Sequence, residues 1–449
     1  MILKCEGYEE PDYLSEPLGL PESVDFDKYI VATYLGRLDA NISVDIIGPA
    51  IAIEQTTGTW TPVPYETAEV RRKHVGKVIS YSQIPDYEFE RPGKKEEPKL
   101  TYVFQIAFPY INVKNTVSML LTAIFGNISM GGELKMIDVR FPKVFIDDFK
   151  GPKFGIEGIR ALLKVPSRPL LNNMIKPCTY TWSPEFKDLF YGAAAGNGHG
   201  CDIIKDDELV ANQDYNKLED RVPAFMEMVD KAKSQTGEDT LYTANITDRL
   251  PNVIENAEKV QDLGGNALML NFPVVGYEVM RQLAEDPSIK LPILGHMDFA
   301  GSMYMSPWHG VSSHIILGKF ARMCGADVVV HPAPYGKATV IQEKYARVAN
   351  TMRWPFYHLK PTFPMPSGGI TVGLVERCIS ELGTDIVIGS GGGIHAHPDG
   401  SRSGAEAFRQ AIDAVMQGIK VTKYAEDHKE LGVALGTWGA GKKTEFKVK

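Results

Sequence analysis

Eight short apolar runs in the last two-thirds of the chain, each closed by polar residues or glycines, restrict the fold more than any other feature. They are LLNNMIKP, CDIIKDDE, LYTANIT, NALMLNF, LPILGHMD, ADVVVHP, PTFPMPSGG and DIVIGSGGG. They recur at intervals of roughly 20–40 residues with helix-forming stretches between them, the pattern of repeated βα units. Short runs that are apolar on both faces are what a buried parallel sheet requires. Eight units in roughly the 250 residues usual for the fold predict a (β/α)8 TIM barrel, with a doubly wound open sheet as the alternative.

The 449 residues exceed what one ordinary core holds. Upstream of the runs, strand-like YIVATYLGRL and TYVFQIAFPY alternate with helical stretches, and ERPGKKEEPK reads as an exposed connection. The expected organisation is α/β: a smaller N-terminal α+β domain over 1–150, then a barrel catalytic domain over 151–449 with a C-terminal helical tail. A formal charge of −8 argues against a nucleic-acid or membrane binder while leaving room for a local basic pocket. The five cysteines form no CxxC pair, so neither a zinc site nor a disulfide framework is indicated. The start, MILKCEGYEEPDYL, lacks the basic segment and apolar stretch of a signal peptide, and a cytoplasmic location is expected.

Strand C-termini of a barrel converge on one face. That face would gather Lys176, Lys205 with its acids, Asn245, Asn271, His296 with Asp298, His331, Ser367 to Gly369 and Gly391 to Gly393. Alternation along CDIIKDDE puts Lys205 and Asp207 on one face, and Glu208 can turn inward where the strand ends. Two carboxylates beside a lysine suit a hard cation such as Mg²⁺ if the lysine loses its charge and takes up CO₂ as a carbamate. A simple ion pair at a strand end explains the same spacing equally well. The glycine clusters close the last two strands, where barrels often cradle a phosphate. Lys337, in HPAPYGKATV, sits on a loop that could close over an anion.

Together these stretches resemble the large subunit of ribulose-bisphosphate carboxylase and, more closely, the rubisco-like proteins, form IV of that family. The resemblance is carried by EQTTGTW and FGN in the first domain and by IKP, KDDE, GHMDFAG, HPAPYGK, PSGG and GSGGG in the second. It implies that Lys205 is carbamylated and holds Mg²⁺ with Asp207 and Glu208. It further implies proton transfer by Lys176 and substrate contacts by His331 and Lys337, with His296 among the catalytic groups. Thr59, Trp60, Ser367, Gly368, Gly369, Gly391 and Gly392 match the phosphate site. Glu54 and Asn127 match residues that complete a neighbouring subunit's pocket, which implies a homodimer with shared active sites, or a higher assembly.

Two departures bear on function. The carboxylase pattern has a second lysine where this chain has Cys178, and His followed by Arg where HMDFAG supplies Asp298 and Phe299. Loss of the arginine removes the partner of a second phosphate. The resemblance therefore implies a Mg²⁺-dependent enzyme forming an enolate from a monophosphorylated keto sugar or 3-oxo sugar acid. Decarboxylation is slightly favoured over enolase or isomerase chemistry because Lys337 could hold a carboxylate. Ribulose-bisphosphate carboxylation and a non-catalytic scaffold or regulatory binder are the alternatives.

Overall fold

The computed structural model describes residues 12–59, 61, 63–84, 99–337 and 340–441. The chain divides into two compact units. One runs to Asp148 and takes in Ser302–Ile315; the other comprises Phe149–Gly301 and the chain from Ile316 onward.

The first unit is α+β. Strands β1 (Tyr29–Asp39), β2 (Lys77–Ile84), β3 (Lys99–Pro109), β4 (Leu134–Arg140) and the short β10 (Gly310–Val311) form one sheet in the order β10-β4-β1-β3-β2. β1 is antiparallel to β3 and β4, and β10 joins β4 in parallel. Central β1 alternates buried and half-buried positions from Ala32 to Arg37, and its Tyr34 is wholly buried, stacked on Phe104 at 5.3 Å. Ser302–Ile315, expected inside the barrel domain, belongs here: buried Lys135 of β4 donates to the Tyr304 carbonyl at 2.8 Å, and Gly310 pairs with Lys135. The connection ERPGKKEEPK falls, except for Lys99, outside the described residues.

The second unit is the barrel. Its strands are β5 (Leu170–Met174), β6 (Ile203–Lys205), β7 (Leu241–Asn245), β8 (Ala267–Leu270), β9 (Ile293–Gly295), β11 (Val328–Pro332), β12 (Phe363–Ser367) and β13 (Val387–Ser390). All eight apolar runs supply one strand each. Every ladder is parallel, in the order β12-β11-β9-β8-β7-β6-β5-β13. The ladder is open only between β12 and β13, and the sequence of β12 explains it. Phe363 N donates to Asp327 O and Ala333 N to Ser367 O, so the odd positions of β12 face β11. Pro364 and Pro366 face the other way and have no N–H to give β13. Close approach persists across this seam: a β-carbon on Gly389 would stand 3.0 Å from Ser367 Oγ and 3.1 Å from Pro366 O.

Leu170, Ile203, Leu241, Leu294, Val328 and Phe363 fill the lower barrel interior. The helix Gly155–Leu163 presses Ile156, Ile159 and Leu163 into the same cluster and plugs that end. Among the described residues no helix is long and apolar enough to cross a membrane.

Candidate active site

Strand parity sorts the KDDE stretch. Lys205, the last residue of β6, points inward with Ile203 and is fully buried. Its Nζ donates to the Asp206 carbonyl at 2.8 Å and to Glu208 Oε2 at 2.9 Å. Asp206 points the other way. Its carboxylate accepts from Tyr180 Oη (2.5 Å), Tyr242 Oη (2.8 Å), Arg221 Nε (3.1 Å) and Asn245 N (2.9 Å). All of its capacity is used in holding the outer layer to β6, so the first of the three acids is a structural anchor.

Asp207, also fully buried, forms an ion pair with Lys176 and accepts the Leu209 N–H at 3.0 Å. Lys176 Nζ lies 3.2 Å from Cys178 Sγ as well. Burial alone would lower the pKa of Lys176, but the Asp207 and Cys178 contacts outweigh it and the net shift is upward. Burial likewise opposes ionisation of Glu208, yet the Lys205 ammonium pulls it down to about 2. His296, just beyond β9, is buried and held at about 3 by desolvation and by Lys205. Its Nε2 is 3.5 Å from Glu208 Oε2, and its Nδ1 is 3.7 Å from Asp298 Oδ1. Burial and the Glu208 charge raise Asp298.

These groups border a cavity of about 440 Å³ within the barrel unit, a volume suited to a small metabolite. Lys176, Glu208, His296 and Asp298 line it, as do Lys337, Ser367 to Gly369 and Gly391 to Gly393. Gly368 and Gly369 have φ of +92° and +103°, backbone that a side chain would strain. A β-carbon on Gly391 would stand 3.3 Å from Met174 Cβ and 3.6 Å from Lys176 Cε. The Lys337 loop is pinned to the first glycine pair: Lys337 N donates to Gly368 O at 2.6 Å, and a β-carbon on Gly336 would collide with that oxygen at 1.9 Å.

Other expected residues lie elsewhere. His331, expected to contact substrate, is not among the residues that line this cavity, whose wall takes Val330 instead. Val328 and Val330 face inward with the barrel cluster, so parity turns His331 outward, where its fully buried ring packs against Tyr345 with centroids 5.3 Å apart. Burial depresses its pKa to about 3. Glu54, Asn127 and Thr59 belong to the first unit. Glu54 Oε1 accepts from Asn127 Nδ2 at 3.1 Å, and Thr59 Oγ1 is bonded to the Thr61 backbone. Trp60 lies outside the described residues.

Sequence reasoning missed Met174, Met297 and Trp438 as cavity residues. Met174 shares the parity of Leu170 and Lys176 and was legible on that ground. Trp438 ends the helix Lys429–Trp438, whose following segment docks through Gly441 N to Gly373 O at 2.8 Å. Nothing local marks that docking.

A barrel with lysines and acids at its strand ends, preceded by an α+β unit, defines an α/β-barrel enzyme architecture. Residues 155–438 match the family model of the ribulose bisphosphate carboxylase large chain, catalytic domain, and residues 23–145 match that of its N-terminal domain. The chain belongs to the ribulose bisphosphate carboxylase large-chain family and, within it, to the rubisco-like proteins.

It is 52% identical to a ribulose bisphosphate carboxylase-like protein of Archaeoglobus fulgidus over 95% of this chain and 96% of that one. A 2,3-diketo-5-methylthiopentyl-1-phosphate enolase of Bacillus velezensis is 35% identical over 91% and 98%. Among solved structures, a rubisco-like protein from Alicyclobacillus acidocaldarius has a TM-score of 0.83 at 36% identity, covering 92% of this chain and all of that one. A dimeric archaeal rubisco from Hyperthermus butylicus has a TM-score of 0.82 at 29% identity, covering 95% and 99%.

Proposed function

We propose that this protein forms an enolate from a monophosphorylated keto sugar or 3-oxo sugar acid, with CO₂ as the favoured leaving group. The observation that carries the reading is the convergence of Lys176, Glu208, Lys337 and both glycine clusters on one cavity. The glycine backbone provides close, side-chain-free approach for a phosphate. Lys337 and Lys176 supply two cationic groups along the same wall, and a carboxylate beside the reacting carbonyl would be held there. Lys176 is also placed to hold or return a proton at the reacting carbon.

Lys205, Asp207 and Glu208 fit a Mg²⁺ site as a donor set. Glu208 meets the buried Lys205 amine and the buried Asp207 follows two residues on, and conversion of that amine to a carbamate would replace the repelling ammonium with a third oxygen ligand. Mg²⁺ so bound would polarise a substrate carbonyl and stabilise negative charge on its oxygen. By analogy with the dimeric relative, the minimal unit is a homodimer in which Glu54 and Asn127 of one subunit complete the pocket of the other, with Thr59 and Trp60 assigned to the phosphate site. The cytoplasm is the proposed location.

Loss of a proton instead of CO₂ generates the same kind of enolate. The similarity to named enolases favours this second reading. Proton NMR in D₂O with Mg²⁺ and bicarbonate, against phosphorylated ketoses and 3-oxo sugar acid phosphates, separates the two. Decarboxylation predicts CO₂ release only from the 3-oxo acids; enolisation predicts solvent deuterium beside the carbonyl of the ketoses. No turnover across the panel by a protein that binds Mg²⁺ would sink the enolate reading.

A further inference from the structure

In the family's metal set, Asp207 is committed here to Lys176 and Leu209, and Lys205 carries an ammonium toward Glu208. A different trio stands ready around the same glutamate. One carboxylate oxygen each from Glu208 and Asp298, and one ring nitrogen of His296, lie within 4.8 Å of one another. Metal–ligand bonds of about 2.0–2.6 Å place ligands on opposite sides of one ion about 4–5 Å apart, so a single cation spans this trio. We propose that Glu208, His296 and Asp298 form a divalent-cation site that requires no carbamate and is filled before CO₂ arrives.

Three further features support the assignment. His296 is 4% exposed, and among the described residues no hydrogen bond reaches its Nε2, which faces Glu208 Oε2. The Asp298 N–H takes its Nδ1 at 3.4 Å, which leaves Nε2 as the ring nitrogen open to an ion. The trio is also mounted on strand ends: Glu208 lies three residues past the end of β6, and His296 directly follows β9. Finally, all three side chains border the cavity, so an ion has a route in from solvent. Because one donor is an imidazole nitrogen, the site favours a borderline ion such as Zn²⁺ over Mg²⁺, and its two carboxylates also admit Mn²⁺ as a paramagnetic probe.

The inference deepens the proposed function without depending on its chemistry. Glu208 is shared, so the two arrangements exclude each other and the stoichiometry stays at one ion. In the absence of CO₂ the Lys205 ammonium, 2.9 Å from Glu208, opposes the cation. Lys205 therefore weakens this site and, once carbamylated, would strengthen the other.

The test is titration of the full-length protein with Mn²⁺ in CO₂-free buffer, then with bicarbonate, read by calorimetry and by pulsed EPR for nitrogen coupling. Wild type should bind one Mn²⁺ without CO₂ and show the nitrogen signature. Asp298→Asn should weaken that binding at least tenfold while changing the bicarbonate-supported affinity less than threefold. His296→Gln should remove the nitrogen coupling. Lys205→Met should tighten CO₂-free binding and erase any response to bicarbonate. The inference is overturned if wild type binds no Mn²⁺ without CO₂, if folded D298N binds like wild type, or if nitrogen coupling is absent. An unchanged affinity on adding bicarbonate would instead sink the carbamate reading and leave this site standing.

Discussion

At the rim where the barrel strands begin, Asp202 and Asp327 are both buried, and both are fully answered. Asp202 accepts two guanidinium bonds from Arg168 at 2.7 Å and the Leu171 N–H at 2.8 Å. Asp327 accepts the N–H groups of Phe154, Gly155 and Ile293 at 2.8–2.9 Å. Arg160, on the plugging helix, reaches Asp385 and the carbonyls of Val165, Arg168 and Thr384. At the opposite rim the same residue types keep capacity in reserve. His296 meets its acidic neighbours only at 3.5 and 3.7 Å, and Asp298 is 44% exposed beside the cavity. Charges that are saturated by fixed partners stabilise a fold, whereas charges left short of partners attract a ligand.

The comparison breaks first at Lys205, where the largest effect is expected. Lys205→Met should lower kcat/KM on the substrate found by NMR by at least about 10³-fold, since it removes the group around which the proposed metal set is organised. Thermal stability should change little, because Glu208 retains solvent access and the methionine fills the same space. A comparable loss of activity and of melting temperature would mean that the upper rim is structural too. Arg168→Ala reverses the pattern. It strands the buried Asp202 carboxylate and should cost about 3–5 kcal/mol in urea unfolding, while the folded fraction keeps its kcat.

The same contrast governs what could be read from sequence. All eight strands were legible because burial on both faces leaves short apolar runs that no solvent-facing element imitates. The seam was legible in principle, since Pro364 and Pro366 fall on one parity of β12. The lower rim carries no local signal: Asp202 and Asp327 precede their strands as ordinary polar residues, and their partners lie 31 and more positions away. At the upper rim, the parity of Val328 and Val330 turns His331 away from the cavity, a placement that a match of residue identity along the strand does not carry. Asp206 obeys the same alternation: opposite in parity to Lys205 and Asp207, it faces the outer layer and is taken up by Arg221, Tyr242 and Asn245. Trp438 depended on tertiary docking of the tail, which no local pattern encodes.

The smallest expected effect sharpens the comparison at Asp327. Burial raises this carboxyl from its ordinary value of 3.8 to about 6 even though three backbone N–H groups face it. Between those values the native state keeps a proton that the unfolded chain has lost. The protonated form therefore contributes stability that is complete below pH 3.8 and is lost as the pH rises through 6. Each proton so retained tilts stability by at most about 1.4 kcal/mol per pH unit. Asp327→Asn cannot titrate, and it also presents an NH₂ to one of the backbone donors, so it should be less stable than wild type at every pH. The gap should narrow by about 2 kcal/mol between pH 4 and pH 6.5, as wild type ionises and the variant does not. Chemical unfolding across that range measures it. A gap independent of pH would mean that Asp327 is ionised throughout, with its three N–H donors outweighing burial, and the lower rim would then hold a true buried anion.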